Sequence, residues 1–419
     1  MVSRRSFIIA GAGLASTFLL KPSDAGKPHG EYFSNINNVL KQNEIDVPVL
    51  VIDLDRLDHN IDKVVGSVGV HPKKAYRIVT KSVPSPKLVK YIADRAETNA
   101  LMVFHRPFLQ EMSQIMPQSD ILLGKPMPIS AVEKFYKKHR GEFKPEQQLQ
   151  WLVDANDRLN QYLEYAKKES ISLQINLELD VGLHRGGFEA DEQLRQALSL
   201  IKNNPKHLIF SGFMGYDAHL MGIPSFLVDS ELVKVKGRYA SCLAMLNDDF
   251  PTLVHDKLCF NGAGSPTFTY YQGSDLVNEI SAGSCLMKPS HYDLPILENF
   301  LESAYIASPV LKRLEGGNLP AFEWTGPILR NWDVNQSQTY FGYSGNWLAT
   351  VESPKGLVPH FAYTSSNQQG YNASNKVNLK VDDFIFLRPE QSEAVLLQFG
   401  NLIMLRGNKI ENDWSVLKA

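Results

Sequence analysis

Lys81 ends a short apolar run, Tyr76–Lys81. An amine in that place, walled by apolar side chains, can be kept neutral enough to attack a carbonyl carbon and bond to it covalently. Taken alone, a lysine at a strand end is more often a solvent-facing one. Two further segments bear on the choice. Asn261-Gly262-Ala263-Gly264-Ser265-Pro266-Thr267 and Gly283-Ser284 are rich in small residues and hydroxyls. Such loops let backbone N–H groups come close to a phosphate, although glycine is also the ordinary turn residue. Asp180-Val181-Gly182-Leu183-His184-Arg185-Gly186-Gly187 carries a permanently charged guanidinium suited to a phenolate or carboxylate. Met214-Gly215-Tyr216-Asp217-Ala218-His219 offers Tyr216 and His219 as hydrogen-bonding partners for a ring. For His184 and His219 the reading as packed, satisfied side chains leads.

These groups need a frame that brings distant segments together. From residue 48 to about residue 290, short apolar runs alternate with amphipathic stretches. Pro48–Leu54 comes first, followed by the helical pattern Arg56–Ser67. Then come Tyr76–Lys81, Ala100–His105, Ile121–Gly124, Gln150–Asp154, Gln174–Val181, Leu208–Tyr216, Leu258–Gly262 and Glu279–Met287. The clearest helical patterns between them are Lys87–Ala96, Ala131–His139, Asp157–Glu169, Asp191–Asn203 and Ser230–Leu246. Such alternation indicates parallel strands with crossover helices. Eight units fit a closed β/α (TIM) barrel, whose chemistry sits at the C-terminal strand ends and whose phosphate sites follow strands seven and eight. All the segments singled out above fall at such ends. A doubly wound open sheet is the alternative, and periodicity does not separate the two.

Beyond about residue 295 helical periodicity fades. Short β-like runs take over: Tyr305–Leu311, Trp347–Val351, Asp383–Leu387, Ala394–Phe399 and Leu402–Arg406. The expected organisation is an α/β barrel over 47–295 and a C-terminal all-β domain over 296–419, with residues 26–46 joining the latter.

The 419 residues carry a formal net charge of -2, which gives no electrostatic case for nucleic acid or an anionic membrane surface. Cys242, Cys259 and Cys285 are too few and too scattered for a disulfide framework and are read as small buried hydrophobes. Arg4-Arg5 followed by the apolar run Ile8–Leu20 resembles a twin-arginine export signal, with cleavage expected after Ala25 and a periplasmic mature protein. The run is short for a membrane span.

In order along the chain, these segments resemble the D-threonine aldolase and D-serine dehydratase group, which shares the alanine-racemase fold. VPVLVIDLD with Asn60 is similar to the group's opening TPxLVxDLD…N. RIVTKSVPSP is similar to RPHxKTHKSP, LELDVGLHRGG to xExDVGxxRxG, and GFMGYDAHL to GLxxYxGHL. NGAGSPTFTY and EISAGS are similar to SGGGTGTY and ELxxGS. The likeness reaches past the barrel: Ser366–Gly370 falls on SEEHG and Trp414 on a late tryptophan. It implies an alanine-racemase-type barrel with its β domain, pyridoxal 5'-phosphate as cofactor and a homodimer. It also implies that Lys81 carries the cofactor and that Arg185 approaches its phenolic oxygen. Tyr216 would lie at the ring, and Gly262, Gly264, Ser265, Thr267, Gly283 and Ser284 would hold the phosphate.

Several positions depart from the group. Val79 and Val83 replace the histidines beside the lysine, and Cys285 replaces a tyrosine. The metal-binding PNHxC is here Pro389-Glu390-Gln391-Ser392-Glu393. A neutral amide is a poor zinc ligand, so no tightly bound zinc is expected; a weaker, oxygen-rich magnesium or manganese site on Glu390 and Glu393 is the alternative, but both are expected to face solvent. The first functional expectation is a lyase, aldolase- or dehydratase-like, for D-β-hydroxy amino acids. The second is an amino acid racemase with Tyr343 as the opposing acid/base, although Tyr343 reads more readily as a packed turn aromatic. The third is a protein that binds pyridoxal phosphate without turnover.

Overall fold

A computed structural model describes residues 21–417. The twin-arginine stretch and its apolar run lie outside them. The described chain divides into two units, one of residues 54–303, 392–402 and 414–417, the other of 21–53, 304–391 and 403–413.

In the smaller unit, β1 (Val49–Asp53) pairs antiparallel with a later strand of the same sheet rather than joining the barrel. The larger unit holds eight parallel strands closed on themselves: β2 (Ala75–Val79), β3 (Ala100–Val103), β4 (Asp120–Leu123), β5 (Leu149–Val153), β6 (Leu173–Leu179), β7 (Leu208–Gly215), β8 (Cys259–Gly262) and β9 (Glu279–Ala282). β2 closes the ring on β9, with Tyr76 opposite Ile280 and Ile78 opposite Ala282. The strands read as near-continuous apolar runs because both faces are covered, and β5 is buried at every position. Helices fill the crossovers. Pro86–Arg95 begins where Ser85 accepts the Leu88 N–H and Pro86 takes the first turn. It buries Leu88, Val89 and Ile92 on one stripe. Arg106–Ile115 is a further crossover helix, between β3 and β4, that the sequence patterns did not single out.

The floor of the barrel is polar but fully paired. Arg77 on β2 is completely buried. It donates from Nε to Glu279 Oε1 at 2.5 Å, from Nη2 to Glu279 Oε2 at 2.8 Å and Asp120 Oδ1 at 3.0 Å, and from Nη1 to the carbonyls of Leu101 and Asp120. Asn261 Nδ2 adds a bond to Glu279 Oε1 at 2.7 Å. Every N–H of the guanidinium has an acceptor.

The smaller unit is a nine-stranded sheet formed by β1 with β10 (Ala304–Glu315), β11 (Gln338–Tyr343), β12 (Ala349–Ser353), β13 (Val358–Pro359), β14 (Gln368–Ala373), β15 (Phe384–Pro389), β16 (Asn401–Arg406) and β17 (Lys409–Ser415). Helix Glu31–Gln42 lays Ile36, Val39 and Leu40 on the face formed by Val49, Val51, Tyr305, Phe384 and Phe386. Ala394–Phe399, expected as a β run, is instead helical: Ser392–Val395 is one α-turn and Leu396–Phe399 a 3-10 turn. A short apolar run does not carry its own period, so pattern alone cannot separate strand from buried turn. All three cysteines are free and buried. Burial pushes the Cys285 thiol up to about 12. Among the described residues no helix is long and apolar enough to cross a membrane.

Candidate active site

The C-terminal ends of the barrel strands surround a pocket. β2 passes into the 3-10 turn Thr80–Ser82, pinned where buried Thr80 donates to the Met102 carbonyl at 2.9 Å. The turn presents Lys81 to the pocket. Its Nζ lies 4.5 Å from the centre of the Phe104 ring and 3.6 Å from Glu393 Oε1. The same carboxylate oxygen accepts from Ser82 Oγ at 3.1 Å, and Ser82 Oγ is 3.0 Å from Ser284 Oγ. Glu393 was expected to face solvent. The helical turn that begins at Ser392 instead carries it into the pocket lining.

The loops after β8 and β9 are tied together by one hydroxyl. Ser265 Oγ accepts from the N–H groups of Gly283 at 3.1 Å and Cys285 at 3.0 Å. The approach is too close for side chains. A Cβ on Gly264 would lie 2.6 Å from the Tyr216 ring, and one on Gly283 would lie 2.7 Å from the Val79 carbonyl oxygen. Thr267 works inside its loop: its Oγ1 accepts from the Gly264 N–H at 3.1 Å and donates to Asp217 Oδ1 at 2.6 Å. Tyr271 donates to the other oxygen of Asp217 at 2.7 Å. Burial pushes the Asp217 carboxyl up against the pull of these bonds. Gly262 closes β8 and packs toward Val277.

Arg185 also lines the pocket, its guanidinium 5.1 Å from the centre of the Tyr216 ring. The loop that carries it is organised by Asp180. That carboxylate accepts from the N–H groups of Gly182 at 2.9 Å and His184 at 3.1 Å, and from the His184 ring at 2.9 Å. Burial works against the ionised carboxylate, but these bonds outweigh it and hold Asp180 below the ordinary range. Asp180 in turn raises the His184 imidazole. Behind the loop, burial and then the nearby Asp154 push the Glu178 carboxyl up to about 7, with Arg185 opposing. Burial likewise raises Tyr216.

The barrel therefore gathers Lys81, Arg185, Tyr216, Gly264, Ser265, Gly283 and Ser284 around one pocket. Tyr343 belongs to the other unit, at the end of β11, with a side chain that is 37% exposed. His219 is mostly buried, its Nε2 3.7 Å from Glu231 Oε1, and His184 is taken up by Asp180. Sequence patterns did not give a site role to Asp180, Asp217 or Glu393. The first two stood inside segments already singled out, where a carboxylate among glycines is a turn-building signal. Among the described residues, no group of three or more His, Cys, Asp or Glu side chains is placed to hold a metal ion.

An amine, a cradle of small residues and hydroxyls, and a guanidinium on an aromatic face can together hold an anionic aldehyde and present it to an incoming amine. Comparison with known proteins agrees on the frame. Residues 52–290 match the alanine racemase N-terminal domain. The solved D-threonine aldolase from Filomicrobium marinum is similar in fold, with a TM-score of 0.71 at 15% identity over 94% of this chain and 98% of that one. D-threo-3-hydroxyaspartate dehydratase from Delftia sp. HT23 gives 0.67 at 15% identity over 90% and 98%. The alanine racemase from Bacillus anthracis gives 0.66 at 13% over 88% and 97%. No curated protein matches the chain by sequence.

Proposed function

The chain belongs to the alanine racemase N-terminal domain family, and from that premise we propose that it is a pyridoxal-phosphate-dependent lyase acting on D-β-hydroxy amino acids as a homodimer. The observation that carries this reading is the convergence of Lys81 and the two tied loops on one pocket. The residues fit the cofactor. The amine faces the pocket, and the loops beside it pack so closely that a Cβ on Gly264 would meet the Tyr216 ring and one on Gly283 the Val79 carbonyl. When bound, pyridoxal phosphate supplies a ring that withdraws electrons from the substrate's α-carbon.

The chain's own groups do the rest. Lys81 Nζ holds the cofactor and, once released, carries a proton at the α-carbon. Gly264, Ser265, Gly283 and Ser284 hold the phosphate, with Gly262 and Thr267 bracing the loop. Arg185 holds the phenolic oxygen or the substrate carboxylate, and Tyr216 flanks the ring. Racemisation is the second reading, and the replacement of histidine and cysteine by Gln391 and Glu393 favours it. It needs an acid/base on the opposite face of the α-carbon, for which Tyr343 of a partner subunit is the candidate.

Borohydride should fix the cofactor on Lys81, and Lys81→Ala should abolish both the adduct and turnover. An adduct found on another lysine would sink the assignment. With a panel of D- and L-amino acids, aldehyde plus glycine identifies an aldolase and keto acid plus ammonia a dehydratase. Loss of optical activity alone identifies a racemase, and no turnover leaves a carrier. Metal analysis of the same preparation should find no stoichiometric zinc.

The reading includes export, supported by Arg4-Arg5 and the apolar run behind them. Lysines at both positions should hold the protein in the cytoplasm. Equal fractionation of the two forms would remove this part.

A further inference from the structure

Among the described residues lining the barrel pocket, Glu393 is the only carboxylate. Its placement is constrained. One oxygen, Oε1, accepts from Ser82 Oγ at 3.1 Å, and Ser82 stands 3.0 Å from Ser284 on the neighbouring loop. That oxygen is 3.6 Å from Lys81 Nζ. It is close enough for a proton or a charge to be shared through small movements, yet longer than a formed hydrogen bond. On the reading above, Lys81 Nζ exchanges a proton with the substrate's α-carbon, and so must come within about 3 Å of it. A carboxylate 3.6 Å beyond that nitrogen lies within reach of the substituents on the next carbon.

We propose that Glu393 is the catalytic acid/base for the substrate's β-hydroxyl, the position at which the resembled lyases use a metal ion. The inference rests on the lyase reading. In aldol cleavage the β-hydroxyl's O–H bond breaks and its proton passes to Glu393 Oε. The oxygen's electron pair becomes the new carbonyl π bond, and the Cα–Cβ pair stays with the α-carbon. In dehydration a protonated Glu393 gives its proton to the departing oxygen. The Cβ–O bond breaks with its electron pair on that oxygen, and water leaves. Ser82 orients the carboxylate for either step. Lys81, on the same side, serves the α-carbon, so the two groups divide the work between adjacent atoms.

Two measurements test this, on wild type, Glu393→Gln and Glu393→Asp. In the loaded enzyme, consumption of D-threonine is divided by the rate of α-hydrogen exchange of D-alanine, which has no β-hydroxyl. The ratio is expected to fall at least 50-fold in Glu393→Gln and to recover to a tenth of wild type or better in Glu393→Asp. In the cofactor-free protein, acetylation of Lys81, read by mass spectrometry, is expected to change at least threefold in Glu393→Gln, which removes the carboxylate 3.6 Å from its Nζ. An unchanged ratio, or a fall of both reactions together with no change in ratio, overturns the proposal. So does unchanged acetylation, because the pair would then not exist. If wild type fixes no cofactor on Lys81, the lyase reading itself fails and takes the proposal with it.

Discussion

Arg77, within β2, and Lys81, on the 3-10 turn that follows it, stand four residues apart and meet opposite fates. Arg77 lies in the barrel floor with no exposed surface, and each of its N–H groups is bound to Glu279, Asp120 or the carbonyl of Leu101. Lys81 lies at the mouth, its side chain about one-third exposed, with an aromatic face on one side and a carboxylate at 3.6 Å. The floor spends its polar groups on each other, which makes a buried charge tolerable and fixes the register of β2, β4 and β9 around it. The mouth leaves its amine incompletely bound, which is the condition for reacting with something else. The same barrel thus separates stability from chemistry along the axis of its strands.

The comparison can be broken at either end. The largest stability effect is expected at the floor. Arg77→Met leaves Glu279 buried beside apolar atoms and should cost about 3–5 kcal/mol in denaturant unfolding. Lys81→Met, at the exposed end, should stay within about 1 kcal/mol of wild type. Equal losses for the two would show that the mouth is as structurally committed as the floor.

A smaller effect is expected just behind the mouth. Glu178 is pushed from its ordinary 4.5 up to about 7, chiefly by burial. A carboxyl that holds its proton more tightly when folded stabilises the fold below pH 4.5. That contribution is lost as the pH rises toward about 7 and changes little beyond. Glu178→Gln should therefore remove a decline on the order of 2 kcal/mol across that window. If wild type and Glu178→Gln keep parallel stability curves from pH 4 to 8, the carboxyl titrates alike in the folded and unfolded chain and the mouth is wetter than its geometry indicates.

Much of the barrel was legible in the chain. The eight apolar runs between Tyr76 and Met287 correspond to β2 through β9, because strands buried on both faces must be continuously apolar and bounded by turn residues. The glycines and hydroxyls after β8 and β9 announced a close backbone approach, since few other residues permit one. The β sheet was harder to read. β11 and β14 carry Gly342, Gly370 and several polar residues, so their strand character comes from their partners rather than from propensity. The Ala394–Phe399 run was apolar enough for a strand but too short to reveal its period.

The sequence by itself determined the supply of chemistry: one amine at a strand end, loops too small to exclude an anion, and a guanidinium among glycines. Those are properties of residue type and near neighbours, and a linear chain records them. Only the tertiary structure decided which distant groups face the amine. Glu393 lies more than three hundred residues from Lys81, and nothing local marks it as different from Glu390 three positions earlier. Its side chain reaches the pocket because the chain re-enters the larger unit at Ser392 and turns once as a helix there. Contact between residues so far apart in sequence is set by the closure of the whole barrel, and no local propensity encodes it.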